Sequence, residues 1–252
     1  MEETMPDKKV YAMTFSPHMH DSEGGVGGSI VRWGREGKRV VMVAVTDGSC
    51  GSSNPNIKPE DLIKRREAEQ LEAAKVLGVE DVIFMRQPDL RLADTYETRR
   101  EICRLILTYR PEIICTHDPH TTKYMNNPDH RTLARMVMEV SWPMAIAPNA
   151  FPELLEEGLL PHHVKEVWYW NAENPNYTVD ITDYWDAKWK AWQCHRSQIE
   201  DWLTHEDNPP ASYEEAVEGN LNFVKRFALK AAEGTEFDLA EDFMRVVLPP
   251  GL

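Results

Sequence analysis

The chain has 252 residues, 42 % of them hydrophobic, and its 42 acids against 28 bases leave a formal net charge of −14. That length suits one large α/β domain, or one core with an extension. The acidic balance argues against a nucleic-acid partner, which needs a basic face to displace counterions, and against an anionic membrane surface. No apolar run reaches the ~18 residues of a membrane span, and residues 1–9 carry no signal-peptide core. The expectation is therefore a cytoplasmic protein whose four cysteines are reduced.

Residues 9–15 read as a buried strand, short, apolar and ended by Pro17. A glycine-rich turn over 24–28 and a helical stretch through Trp33 follow, closed by Gly37. Residues 39–46 are β-branched almost throughout and predict a second strand. Residues 59–77 predict a helix with Leu62, Leu71, Ala74 and Leu77 inward, terminated by Gly78. A third strand over 82–85 precedes a helix over 96–109, which Pro111 breaks. Residues 113–116 predict a fourth strand, and 132–142 a fourth helix.

Four strand–helix alternations with short connections predict an α/β, Rossmann-like, largely parallel sheet flanked by helices. Beyond Pro143 lie strands over 164–170 and 177–181 and a long helix over 184–203. Residues 201–252 carry 11 acids and 4 bases. The expected division is a hydrolase domain over 1–200 and an acidic extension over 201–252, packed on it or capping it.

In such sheets ligands sit beyond the carboxyl ends of the strands, so the loops there are the ones to read for chemistry. The loop after the first strand runs Ser16-Pro17-His18-Met19-His20-Asp21. Two imidazoles and a carboxylate within four residues form a metal-ligand cluster, since both donor types suit zinc. The loop after the fourth strand holds His117, Asp118 and His120, then Asn127, Pro128, Asp129 and His130 at the start of a helix. Asp129 is placed there as an N-cap. His130 on the first turn offers a third ligand. Three protein ligands leave one position open, as a catalytic zinc site requires. Asp47 and Ser49 face the same edge, either to orient ligands or as part of a turn.

These motifs follow one another in a familiar order: His18-Met19-His20-Asp21, Gly27-Gly28, Thr46-Asp47-Gly48, Arg66 with Glu69, Leu77-Gly78, Pro88-Asp89 and Pro128-Asp129-His130. The chain resembles the LmbE-like, or PIG-L, family of zinc-dependent N-deacetylases over about residues 9–200. Residues 175–183 and His195-Arg196-Ser197-Gln198 look most like its diacetylchitobiose deacetylase branch. The resemblance implies His18, Asp21 and His130 as zinc ligands, with Arg66 and Asp89 contacting substrate. It also implies that His195 reaches the active site, which in some members it does from a neighbouring subunit. Two positions depart from the family. His20 stands where the first loop carries its catalytic Asp, and Asn127 where the second loop carries a His. The candidate catalytic residues are then His20, His195, Asn127 and Asp129, with His120 beside the substrate as a source of the imidazole that Asn127 lacks.

The function this implies is hydrolysis of a carbon–nitrogen bond, most simply removal of an N-acetyl group from an amino sugar or similar small amide. A small-molecule substrate and a homo-oligomer are expected. Iron, manganese, cobalt and nickel suit the same ligands as zinc. One branch of the superfamily hydrates an unsaturated keto-dicarboxylate and also lacks the first Asp. That reading needs basic anchors near the metal, for which Arg66, Arg86 and Arg91 are the candidates. A metal-dependent amidohydrolase barrel begins with a similar His-x-His, but about four β–α units are visible here, not eight. A metal-binding protein without turnover is the remaining alternative.

Overall fold

The computed structural model describes residues 8–122, 127–204 and 209–251. The first half alternates as expected: β1 (Ala12–Ser16), α1 (Asp21–Arg35), β2 (Val40–Thr46), α2 (Pro59–Leu77), β3 (Asp81–Gln87), α3 (Tyr96–Tyr109), β4 (Ile113–His117) and α4 (Pro128–Glu139). The second half runs α5 (Pro152–Glu156), β5 (Glu166–Trp170), β6 (Tyr177–Asp180), α6 (Trp185–Trp192), α7 (Arg196–Asp201), α8 (Tyr213–Ala232) and β7 (Ala240–Val247).

The strands form one sheet in the order β3-β2-β1-β4-β5-β7-β6. The first five are parallel, and β7 runs antiparallel to both β5 and β6. Strands β1, β2 and β4 are buried along their whole length, which is why they read as unbroken apolar runs rather than as alternation. One face packs on α3, α4 and α5 through Ile102, Ile106, Leu133 and Leu154, and the other on α1, α2, α6 and α8 through Ile30, Leu77, Ala191 and Val224. The strand order reverses between β1 and β4, which are paired from Ala12↔Ile113 to Thr14↔Cys115. Their carboxyl ends open the crevice where α/β sheets place ligands.

The structure differs from the sequence expectations in several places. Glycines 24, 25, 27 and 28 lie inside α1, not in a turn before it. A Cβ on Gly25 would stand 2.5 Å from the Trp170 ring, and one on Gly28 2.6 Å from Ile181. The glycines let the helix lie hard against the sheet, at a cost in helix propensity. Leu71 is 45 % exposed. The buried face of α2 is instead Leu62, Arg66, Glu69, Gln70, Ala73, Ala74 and Leu77, partly polar because one end faces the crevice. The long helix expected over 184–203 breaks into α6 and α7, with His195 at the break.

The acidic C-terminal segment is not a cap laid over a finished domain. Its β7 is inserted between β5 and β6, and the buried Glu241 on that strand reaches α1. Glu241 accepts from the Gly28 and Ser29 backbone N–H groups at 2.8 and 2.9 Å and pairs with the buried Lys188 Nζ at 2.6 Å. Among the described residues no helix is long and apolar enough to cross a membrane.

Candidate active site

The loop leaving β1 is anchored before it reaches α1. The Thr46 N–H and hydroxyl at the end of β2 both donate to Pro17 O, and the Thr116 hydroxyl on β4 donates to Phe15 O. The His18 N–H donates to Asp21 Oδ2 at 2.9 Å, folding the turn so that both side chains face the same point. From the β4 side, His130 enters on the first turn of α4. The N-cap of that helix is Asn127, not Asp129: the Asn127 side-chain oxygen accepts from the Asp129 N–H at 3.0 Å. The cap lies two residues further out because Pro128 takes the first helical position, where its missing N–H costs nothing.

His18, Asp21 and His130 come together. His18 Nδ1 lies 3.2 Å from His130 Nε2 and 3.3 Å from Asp21 Oδ2, and the third side of the triangle is 3.7 Å. Ligands at about 2.0–2.1 Å from a tetrahedral ion stand about 3.3–3.4 Å apart, so this triangle fits one face of a zinc coordination shell. All three groups satisfy the condition that they can offer one donor atom each to the same ion. Burial works to lower the His18 pKa, but Asp129, Asp21 and Asp89 outweigh it and hold it well above its ordinary value. Burial also works to raise the Asp21 carboxyl, which His130, His18 and His117 nevertheless hold well below the usual range. Surplus carboxylate around one imidazole is an environment that favours a cation.

The other candidate residues differ in what they touch. Asp89 is buried behind His18, with Oδ1 3.1 Å from His18 Nε2 and Oδ2 accepting from the Cys50 N–H at 2.9 Å. It orients the histidine and does not face the cavity described below. Asp129 is fully buried and accepts from the Leu90 and Leu92 N–H groups at 2.7 and 3.1 Å, with His18 Nε2 3.5 Å away. Its contacts are those of a loop anchor. Arg66 is 1 % exposed and donates to Gly48 O and Met19 O, each at 3.0 Å. Its guanidinium ties the loops after β1 and β2 together and lies 3.4 Å from His20 Nδ1. Asp47 accepts from the Ser49 N–H and makes a local turn.

His20 sits just before α1 in the left-handed region, at φ 87°. A non-glycine residue is held there only by its surroundings. Its N–H donates to Gln70 Oε1, its Nδ1 contacts Met19 O, and its ring meets Trp192 edge-on at 5.3 Å. Desolvation, helped by Arg66, His195 and His18, brings its pKa down to about 3 against the pull of Asp21. The imidazole is thus neutral at pH 7. His195 lies beneath it in the same chain, 1 % exposed, with ring centroids 5.9 Å apart and Nε2 3.5 Å from the buried Glu23 Oε1. Glu23 in turn accepts from Gln70 Nε2 at 2.6 Å.

A cavity of about 90 Å³ opens on these groups, lined by His20, Asp21, His117 and His130 and by Asn171, Trp192, Val224 and Phe227. Its described lining includes no lysine or arginine. Arg86 is exposed and paired with Glu67, and Arg91 is exposed. His120 is also exposed and does not line the cavity; the β4 loop brings His117 there instead. The segment between His120 and Asn127 lies in part outside the described residues. His117, as the last residue of a strand at the switch point, is placed where the strand-end rule directs attention. Val224 and Phe227 reach the cavity from α8, which no local motif signals. Two larger grooves, of about 350 and 300 Å³, lie elsewhere and hold none of the three donors.

Comparison with known proteins agrees with this geometry. A family model described as PIG-L, GlcNAc-PI de-N-acetylase, matches residues 13–141. A diacetylchitobiose deacetylase from Thermococcus kodakarensis is 35 % identical over 193 residues, 76 % of this chain and 70 % of that protein. The solved N,N'-diacetylchitobiose deacetylase from Pyrococcus horikoshii has a TM-score of 0.83 at 26 % identity, covering 94 % of this chain and 84 % of that one. A 4-carboxy-2-hydroxymuconate hydratase from Pseudomonas putida has a TM-score of 0.73 at 20 % identity, covering 96 % and 98 %, a likeness of fold alone. With the family model spanning both donor loops and the archaeal deacetylase similar over most of its length, this chain belongs to the PIG-L family.

Proposed function

We propose that this protein is a metal-dependent N-deacetylase that hydrolyses the N-acetyl amide of an amino sugar, with zinc held by His18, Asp21 and His130. The observation that carries the reading is the donor triangle, 3.2 to 3.7 Å on a side, facing the cavity at the switch point of the sheet. When bound there, zinc supplies Lewis acidity toward a carbonyl and toward water. The protein's own groups do the rest. Asp89, against His18 Nε2, keeps Nδ1 directed at the triangle. His20, with Nδ1 engaged by Met19 O, offers Nε2 as the proton acceptor. Water oxygen bonds to the acyl carbon as its proton passes to that nitrogen. The carbon–nitrogen bond then breaks, and the same proton goes to the departing amine. His195, packed under His20 with Glu23 behind it, positions the base. Asn127 serves through its cap on α4, which aims His130.

Similarity to diacetylchitobiose deacetylases over most of the chain favours hydrolysis over the keto-dicarboxylate hydratase, whose solved neighbour is alike in fold alone. The test is acetate release from N-acetylglucosamine and N,N'-diacetylchitobiose by the zinc-loaded protein, followed by proton NMR. Release of acetate and free amine in equal amounts is expected. No release from either sugar or from a wider N-acyl panel, with zinc bound, defeats the reading. Self-association belongs to the same proposal and is read by light scattering.

A further inference from the structure

The cavity contains a buried imidazole that the roles above do not use. His117 is the last residue of β4 and is 2 % exposed. Sheet register fixes its place: it opposes Trp170 on β5, with ring centroids 4.9 Å apart at 64°. It also stacks on His130, 4.0 Å away at 38°. Packing between two rings needs only a flat side chain, which phenylalanine supplies. The nitrogens are what packing leaves unexplained. His117 Nδ1 is buried with no hydrogen-bond partner among the described residues. An unmade bond of this kind costs about 1–3 kcal/mol, so an orphaned polar atom in a cavity wall points to a ligand. The neighbouring candidates are committed or remote. The Asn127 side chain caps α4, and His120 is exposed.

We propose that His117 is a catalytic residue that donates a hydrogen bond to the acyl oxygen of the substrate as the carbonyl becomes tetrahedral. This rests on the N-deacetylase reading above. As water oxygen bonds to the acyl carbon and its proton passes to His20, the carbonyl π pair moves onto the acyl oxygen, which accepts from the His117 N–H. When the carbon–nitrogen bond breaks, that pair returns to re-form the carbonyl, and the amine leaves with the proton from His20. His117 gives up no proton and ends as it began. A donor placed where charge develops, and held rigid before the reaction, stabilises the tetrahedral species more than the planar amide.

The test uses His117→Phe, which keeps a ring against His130 and Trp170 but removes both nitrogens, with thermal melting and zinc content measured alongside. Methylphosphonate, a methyl group on a tetrahedral oxyanion, serves as the probe, and acetate as its planar reference. Zinc content and acetate affinity are expected to match the wild type, while methylphosphonate affinity falls about tenfold or more. Turnover of N,N'-diacetylchitobiose should fall about 100-fold through kcat with little change in KM. Unchanged methylphosphonate affinity in the variant overturns the proposal. So does a wild type that binds methylphosphonate no better than acetate, or a variant that loses its zinc, which makes His117 a metal ligand instead. If His117→Phe does not fold, His117→Leu, which likewise carries no donor, serves for the same comparison. A wild type that releases no acetate defeats the deacetylase reading, while the methylphosphonate comparison still decides the role of His117.

Discussion

His18 uses both of its ring nitrogens. Nδ1 belongs to the donor triangle, and Nε2 lies against Asp89 and Asp129. A ligand histidine held from behind by a carboxylate keeps its tautomer and its aim. Asp89→Asn should therefore weaken zinc affinity by about 10–100-fold, with turnover restored by excess zinc. Competition against a metal-sensitive dye measures this; unchanged affinity would assign Asp89 to the Cys50 loop alone. His20 is a different case, because the role proposed for it is proton transfer and not metal binding. His20→Ala should lower kcat about 10²–10⁴-fold at unchanged zinc content, read by acetate release beside metal analysis. The convergence of His18, Asp21 and His130 can be read from the sequence, because residue type and position after a strand both point to it. His117 was not singled out, because a lone strand-end histidine looks like any other until the neighbouring ring and the orphaned nitrogen are seen. The resemblance implies substrate contact for Arg66 and Asp89; both are buried, Arg66 against the loops after β1 and β2 and Asp89 against His18.

At the scale of elements, the site depends on α1 lying unusually close to the sheet. Its glycines admit the Trp170 ring and Ile181, and Glu241 binds backbone N–H groups in the middle of the helix. Gly25→Ala gains about 1 kcal/mol of helix propensity but forces a Cβ into the Trp170 ring, at about 1–3 kcal/mol. Overpacking wins where the ring cannot move, so the melting temperature should fall. A variant that melts higher would show that the ring gives way. This is why the glycine run misleads as sequence: the usual signal of a turn is here a signal of close approach. Leu71 misleads in the opposite sense. Apolar spacing placed it inside, but α2 turns Arg66, Glu69 and Gln70 inward toward the loops and leaves Leu71 in solvent. A helix beside an active site buries polar groups, and apolar periodicity does not register them.

At the scale of the whole molecule, the strand–helix alternation of the first half was enough to give the parallel sheet and its switch point. The return of the chain was not. A strand such as β7, with Glu241, Asp242 and Arg245 among its residues, can sit at an edge, in a cap or inside the sheet, and only long-range pairing decides. Here β7 lies between β5 and β6, and Glu241 on it neutralises the buried Lys188. A chain ending at residue 238 strands that lysine without its carboxylate and leaves β6 without its partner. Breaking a buried pair costs about 3–5 kcal/mol, a large part of the stability of a domain, before the lost strand is counted. Such a chain should show no cooperative thermal transition by circular dichroism, whereas a sharp melt near that of the full chain would make 201–252 the separable extension that its acidity suggests.

The central claim is that an ion held by His18, Asp21 and His130 drives amide hydrolysis. Its most direct test is a single cycle with N,N'-diacetylchitobiose: acetate release by the protein as isolated, after removal of metal by a chelator, and after return of one equivalent of zinc. Release, loss and recovery are expected, with no recovery in His18→Ala. Acetate release that persists through chelation, or that His18→Ala retains at the wild-type rate, would contradict it.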